Sequence, residues 1–255
     1  MIDALYIATS GLQSQQTQID TLSNNISNMQ TPGFKSQRVS FGDIAVISPA
    51  EVQAGLSPQH TGAGTEITST SSVFSQGQMS QTGNTWDIGI QGEGFLEVVD
   101  GNNNHLYTRD GQLHVDSGGY LATTTGNRLA QDIQIPPDAS NIQINQNGQI
   151  YATVGNSTSQ TLLGTFELST FPSAEGLQSV GSNNYMPTQA SGDPSVGKPN
   201  DSGVGSILQG SLEGSNVDMV SEMSTLVIAQ RAYQLNARVL QASDQILDTI
   251  NNLRQ

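Results

Sequence analysis

Residues 23–35 read Ser-Asn-Asn-Ile-Ser-Asn-Met-Gln-Thr-Pro-Gly-Phe-Lys, and they close a pattern that begins at the N-terminus. Leu5, Leu12, Ile19 and Ile26 recur at intervals of seven. Ala8, Leu22 and Met29 stand three residues after members of that series, with Gln15 breaking the second row. Seven-residue spacing with a three-residue companion marks a helix seam that needs another helix. Thr31-Pro32-Gly33 ends the pattern, because proline lacks a donor and restricts the residue before it, and glycine frees the backbone. One long helix therefore opens the chain, and nothing near it in sequence covers its seam. Each Leu or Ile buried there stabilises by about 1.5–3 kcal/mol, and Gly11 costs about 1 kcal/mol of helix propensity.

The theme returns at the other end. Met219, Leu226, Tyr233, Leu240 and Leu247 are spaced by sevens, flanked by Val239, Ile246, Ile250 and Leu253. Asp218 stands ahead as an N-cap and Glu222 suits the first turn. Between the helices the period changes to two. Trp86-Asp87-Ile88-Gly89-Ile90 alternates, Gly94 to Val99 is a short apolar run, and Asp100-Gly101-Asn102-Asn103-Asn104 closes it as a turn-rich loop. Ile142-Gln143-Ile144 and Ile150-Tyr151-Ala152-Thr153-Val154 alternate too, with Asn147-Gly148 as the hairpin turn before the second. Many short strands punctuated by Asx-Gly turns predict a compact antiparallel domain, sandwich-like or barrel-like. The expected fold class is α+β, with the long terminal helices pairing as a coiled coil around a central all-β domain. The expected division is residues 1–35 as helix and hinge, 36–80 as extended linker, 81–206 as β domain and 207–255 as C-terminal helix. Within the linker, Glu66-Ile67-Thr68 and Ser72-Val73-Phe74 alternate as short strands do.

Composition narrows the function classes. The net charge is −14, with eight basic residues scattered along 255. That leaves no cationic footprint for nucleic acid and makes an anionic membrane surface a poor partner. Apolar residues never run to the length of a spanning helix. Asp3 occupies a place where a cleavable secretory signal carries positive charge, so a classical signal is not expected. Cysteine is absent, which excludes disulfides and thiolate metal sites.

Four segments together resemble one family. Ser23-Asn24-Asn25-Ile26-Ser27-Asn28 with Thr31-Pro32-Gly33-Phe34-Lys35 is similar to the N-terminal signature of bacterial flagellar rod and hook axial proteins. Gly83-Asn84, then Asp87 through Phe95, resembles the first central motif. Tyr107-Thr108-Arg109-Asp110-Gly111, with Asp116 and Gly119-Tyr120-Leu121, resembles the second. Leu212-Glu213-Gly214-Ser215-Asn216-Val217, with Gln230-Arg231-Ala232-Tyr233 and Asp244-Gln245-Ile246-Leu247, resembles the C-terminal signature. The segments keep the family's order and span nearly the whole chain. The resemblance implies a self-assembling axial subunit of the rod, in the periplasm or cell wall. Its terminal helices would pair in an inner tube that transmits torque and forms part of the export channel, with the β domain as outer layer. It implies passage through the flagellar type III export apparatus without a cleaved signal. The partners implied are other copies, neighbouring rod and hook proteins and the surrounding basal-body rings. Length and the C-terminal segment look most like the distal-rod type, with proximal-rod and hook-type subunits as alternatives. The two rod types part between Gly42 and about Thr70.

The residues expected to carry subunit interaction are Leu5, Leu12, Ile19, Leu22 and Ile26 on the first helix, and Leu226, Tyr233, Leu240 and Leu247 on the last. The amides of Asn24, Asn25 and Asn28 are expected to bond backbone groups of neighbouring subunits. Pro32, Gly33 and Phe34 complete the expected subunit-interaction set, with Pro32-Gly33 as the hinge that redirects the chain. Enzyme readings fail. His60, His105 and His114 lack metal-ligand spacing. Asp100, Asn102 and Asn104 imitate an EF-hand start, but His105 replaces the required Gly and Gly111 the closing Glu. Glu93, Glu97 and Asp110 carry no signal that pairs two carboxylates. No phosphate-cradling loop or nucleophile elbow occurs, so no cofactor, metal or small-molecule substrate is expected. The rival class is a β-domain adhesin or carbohydrate-binding module oligomerised by its helices, for which 5% aromatic content and one Trp offer little stacking surface. Truncation separates the two. Deleting residues 1–28 or 219–255 is expected to abolish polymerisation seen by electron microscopy while the β core stays folded; closed trimers of the full chain at every concentration would favour the adhesin.

Overall fold

The computed structural model describes residues 2–47, 60–155 and 159–252. The architecture is α+β, with a helix near each end and a β-rich middle. The chain divides into two compact units, one of Met1–Ser27, Gln37–Ser71 and Asp218–Gln255, the other of Asn28–Ser36 and Ser72–Val217.

The first unit holds helix α1 (Ile2–Ser27), helix α2 (Met219–Asn252) and the paired strands β1 (Gln37–Ile47) and β2 (His60–Ser72). Within it α1 packs along α2 and against β1. Asp218 caps α2, its Oδ1 accepting from the Ser221 N–H at 2.9 Å. Many hydroxyls on α1 bond back to the carbonyl four residues earlier, as Thr9, Thr17, Thr21, Ser23 and Ser27 do. Such bonds satisfy the hydroxyls and add little helix stability.

The packed face of α1 is mostly small or polar, with Leu22 as its large apolar member. Ala8, Gly11, Ser14, Leu22 and Asn25 are buried, and Ala229 is buried on α2. The row Leu5, Leu12, Ile19 and Ile26, expected at the centre of the seam, is half-buried on its flank. The reason lies at Gly11, where an added Cβ would stand 2.9 Å from Asn236 Nδ2. Close approach at a glycine puts small residues in the middle and moves branched side chains outward. Gly11 thereby admits Asn236, which sets a packing role against its propensity cost. On α2, Leu226 and Leu240 are half-buried and Tyr233 is exposed; Leu247 lies in the helix, with its side chain outside the described residues. Met29, expected on the seam, falls beyond α1, because the chain leaves the helix at Ser27 and makes a turn closed by the Thr31 N–H on the Asn28 carbonyl at 3.1 Å.

Residues 36–80, expected as linker, contain β1 and β2. β2 is rich in Ser and Thr and shows no apolar run, so backbone pairing rather than hydrophobic alternation makes it a strand, while β1 ends in the apolar run Ile44-Ala45-Val46-Ile47. The Ser48-Pro49 and Ser57-Pro58 punctuation lies outside the described residues.

In the second unit, β5 (Phe95–Val99) pairs antiparallel with β6 (His105–Thr108), and β15 (Asn184–Met186) and β14 (Gln178–Gly181) extend that side. On the other side come β9 (Arg128–Leu129), β8 (Leu121–Thr123) and β7 (Leu113–Val115). β13 (Leu168–Thr170) joins β5 and carries β16 (Ser195–Gly197). A separate meander runs β10 (Ala139–Ile144), β11 (Gln149–Val154) and β12 (Gln160–Thr165). Its first turn contains Asn147-Gly148, with Gly148 at φ +77. The returning chain pairs β17 (Ser206–Gln209) with β4 (Ile88–Gln91), and β18 (Ser211–Glu213) with β3 (Met79–Gln81). Alternation points Leu96 and Val98 from β5, Ile88 and Ile90 from β4, Ile150 from β11 and Ile207 from β17 into one apolar core around Phe166. A second, aromatic cluster holds Phe95, Tyr107 and Tyr185, with Phe74 and Phe171 packed edge-on against its rings.

Candidate functional site

The signature after α1 and the signature before α2 meet in the second unit around three buried charges. Lys35 Nζ lies 2.7 Å from Glu213 Oε1, and Arg109 NH1 lies 3.2 Å from Glu213 Oε2. The Lys35 and Glu213 side chains are both 0% exposed. Lys35 also donates to the Ser75 carbonyl at 2.8 Å, the Gly77 N–H donates to Glu213 Oε1 at 2.8 Å, and Arg109 NH2 donates to the Gly92 carbonyl at 2.9 Å. The Arg109 guanidinium faces the Phe95 ring, 5.2 Å from its centroid. Removing three charges from water is costly, and the geometry recovers that cost only because every oxygen of Glu213 is used. Burial pushes the Lys35 ammonium below the usual lysine range, the Glu213 carboxylate opposes that shift, and the charge of Arg109 adds to it.

Backbone contacts hold the same segment. The Gly33 N–H donates to the Glu213 carbonyl at 2.8 Å, and Asn183 Nδ2 donates to the Pro32 carbonyl at 2.9 Å. Gly33 has φ +69, and a Cβ there would lie 2.7 Å from the Asp110 nitrogen, so both conformation and space demand glycine. Phe34 is buried beside it. Asn216 clamps the next residues: its Oδ1 accepts from the Ser36 N–H and its Nδ2 donates to the Val73 carbonyl, each at 2.7 Å. Gly111 of the Tyr107–Gly111 motif is likewise forced, since a Cβ would be driven into the Ile88 carbonyl.

In the first unit the corresponding residue is Asn25, 1% exposed. Its Nδ2 donates to the Gln37 carbonyl and its Oδ1 accepts from the Gln37 N–H, both at 2.9 Å, and Nδ2 also reaches Glu222 Oε1 at 3.4 Å. The Asn25 amide, expected to bond a neighbouring subunit, makes these bonds within its own chain. Asn28 Oδ1 accepts from the Thr31 hydroxyl at 3.2 Å, a local turn contact, and Asn24 is exposed. Glu222 Oε2 is buried without a hydrogen-bond partner among the described residues. Burial pushes the Glu222 carboxyl above the usual range, the Asn25 hydrogen bond opposes this, and the charge of Asp218 adds to it.

Pro32 and Gly33, expected to turn the chain, lie in the turn that follows α1, with Phe34 buried beside them. Lys35, Arg109, Glu213 and Asn216 stand inside the motifs, but their spacing along the chain does not reveal that they meet. The available signal was that a chain with eight basic residues sets two of them inside otherwise turn-forming signatures.

The stretches that supply these residues are also those that match known families. "Flagella basal body rod protein" matches residues 5–35, "Flagellar hook protein FlgE/F/G D1 domain" residues 89–152, and "Flagellar basal body rod FlgEFG protein C-terminal" residues 208–253. Each contributes one member of the triad: Lys35, Arg109 and Glu213. The chain is 36% identical to the flagellar basal-body rod protein FlgG of Borreliella burgdorferi over 100% of both chains. It is 34% identical to that of Agrobacterium fabrum over 97% of this chain and 98% of the relative, and 33% identical to that of Bacillus subtilis over 100% of both.

Two outcomes are expected. Glu213→Ala leaves Lys35 and Arg109 as unpaired buried cations and destabilises the second unit by about 3–5 kcal/mol; adding Lys35→Met recovers part of that loss. Trp86, the single Trp, packs on the core of this unit and reports its urea unfolding. A loss that the second substitution leaves unchanged would mean that the pair is not coupled. Glu222 has a folded pKa above its unfolded one, so its contribution is present below the unfolded value and is lost as pH rises through the folded value. The helical far-UV signal is therefore expected to melt later in mild acid than at neutrality, and Glu222→Gln to remove that difference.

Proposed function

The chain belongs to the FlgG family of flagellar basal-body rod proteins, and from that premise we propose how its parts serve the rod. It is a structural distal-rod axial subunit of the basal body, not an enzyme. In this reading α1 and α2 pair as a coiled coil and form the inner wall of a helical tube, with the β unit, a sandwich-like body around one apolar core, as the outer layer. The tube transmits torque and encloses part of the export channel. The subunit crosses the envelope by the type III export apparatus without a cleaved signal. Its partners are other copies, adjoining rod and hook proteins and the basal-body rings.

One observation carries the assembly reading. The outward surface of α2 is apolar where a solvated helix would be polar: Met219, Val220, Met223 and Val227 are exposed, as are Ile228, Leu235, Val239 and Ile246. At 3.6 residues per turn these sets form two stripes on different sides of the helix. Large exposed apolar patches mark interaction surfaces. These exposed residues are left for contacts with other copies, which extend into a filament when they do not close. Leu5, Leu12, Ile19 and Ile26 on α1, with Leu226, Tyr233, Leu240 and Leu247 on α2, flank those contacts. The Lys35 cluster and the Asn25 clasp then hold the turns from which each helix departs.

Leu235 is 61% exposed, so Leu235→Asp is expected to leave the β unit and its Trp86 signal unchanged while abolishing rods and motility. Normal rods in that variant would remove α2's outer stripe from the assembly surface.

A further inference from the structure

Where the first apolar stripe of α2 ends at Val227, a polar strip continues its line. Arg231, Gln234, Arg238, Gln241 and Gln245 recur at steps of three and four, and all are exposed. That spacing keeps them on one side of the helix, turned away from the buried Ala229. Neither guanidinium has an ion pair among the described residues. The places four residues away, where a helix sets a partner acid, hold Val227, Gln234, Leu235 and Ala242. The acids of α2, Glu222, Asp244 and Asp248, lie more than a turn from either Arg. The strip therefore presents two unpaired positive charges among amides.

α1 carries the counterpart. Thr9, Gln13, Gln16, Asp20, Ser23 and Ser27 recur at the same steps and are exposed, on the side away from Ala8, Gly11 and Leu22. The charged residues of α1 are Asp3 and Asp20, both acidic, so the helix has no cation to offset them. Asp20 Oδ1 accepts from Gln16 Nε2 at 2.9 Å, and no cation pairs with Asp20 among the described residues. Arg231 and Arg238 stand about 10 Å apart along the axis, so a carboxylate midway lies about 5 Å from each, within reach of both side chains. Two α2 strips facing each other would set guanidinium against guanidinium, which excludes that pairing. The exposed acids Asp43 and Glu66 stand on strands, whose faces repeat every two residues and do not follow the seven-residue step of the Args. We propose that the α2 strip of one copy packs along the α1 strip of a neighbouring copy, with Asp20 between Arg231 and Arg238 and the Gln amides paired on either side. The two faces differ, so the contact is heterologous and propagates instead of closing a two-fold pair. This rests on the self-assembly reading and adds to it the face and register at which the helices of one copy meet those of the next.

The substituted positions are exposed, so the far-UV helical signal and the Trp86 unfolding curve are expected to stay as in the natural chain. Asp20→Lys is expected to abolish rods seen by electron microscopy. Combining it with Arg231→Glu and Arg238→Glu is expected to restore them, a rescue that a merely structural role for Asp20 would not give. Asp244→Lys, off the strip, is expected to assemble normally. The absence of cysteine allows a second measurement. Copies with Asp20→Cys are co-assembled with copies carrying Gln234→Cys, treated with a short bis-maleimide and separated on a denaturing gel. A linked dimer is expected from the mixed assembly and from neither variant alone. Normal rods from Asp20→Lys, a defect that the exchange of signs leaves uncorrected, an equal loss from Asp244→Lys, or mixed rods without a linked dimer would overturn the contact and leave the family reading intact. Failure of the natural chain to form rods would instead defeat the assembly reading on which the contact rests.

Discussion

The carboxylate of Glu213 is the constraint on which the local order of the signatures depends. One oxygen receives the Lys35 ammonium and the Gly77 N–H, the other the Arg109 guanidinium, and the residue's own carbonyl receives the Gly33 N–H. Residues from three distant parts of the chain therefore converge on Glu213. A buried charge set of this kind tolerates no partial occupancy, since a missing partner leaves a charge in a dry site. The segments that carry these partners approach so closely that glycine is required at Gly33 and Gly77. A Cβ on the first would collide with Asp110, and on the second with the Gly214 carbonyl. A buried ion cluster of this kind yields modest net energy compared with an apolar core of equal volume.

A different physical choice governs the helices. Where they meet, Gly11 lies under Asn236 and Asn25 reaches Glu222, and the other buried residues, Ala8, Ser14 and Ala229, are small, with Leu22 the one large apolar side chain buried on α1 among the described residues. Their other large apolar residues lie on the flanks or outward. An inner face of mostly small or polar residues with an apolar outer one suits a subunit whose helices become stable only in company. The Asn25 clasp on Gln37 contributes direction rather than strength, because it satisfies both backbone groups of the residue at which β1 begins.

Much of the fold was legible. Seven-residue spacing located both helices, Asp218 marked the start of the second, and Asx-Gly turns located the hairpins, because each of these signals is local and covalently ordered. The position of the seam was not legible. Sequence spacing selects the most apolar row, Leu5 to Ile26, whereas packing selects the row at which backbones come closest, and that depends on Asn236 lying over Gly11. β2 was obscured for a related reason: its Ser- and Thr-rich sequence is held by backbone pairing with β1, which leaves little pattern in the side chains.

The candidate site divides along the same line. The sequence by itself determined that Pro32-Gly33 must turn the chain, that the ends are helical, that the middle is β, and that four motifs resemble one axial family. Those conclusions follow from residue-level conformational limits and from order along the chain. Only the tertiary structure decided that Asn25 is spent within its own chain, that Lys35, Arg109 and Glu213 form one buried cluster, and that α2 turns its large apolar residues outward. Charge pairing and burial depend on which distant segments share a volume, and no spacing between neighbours along the chain encodes that.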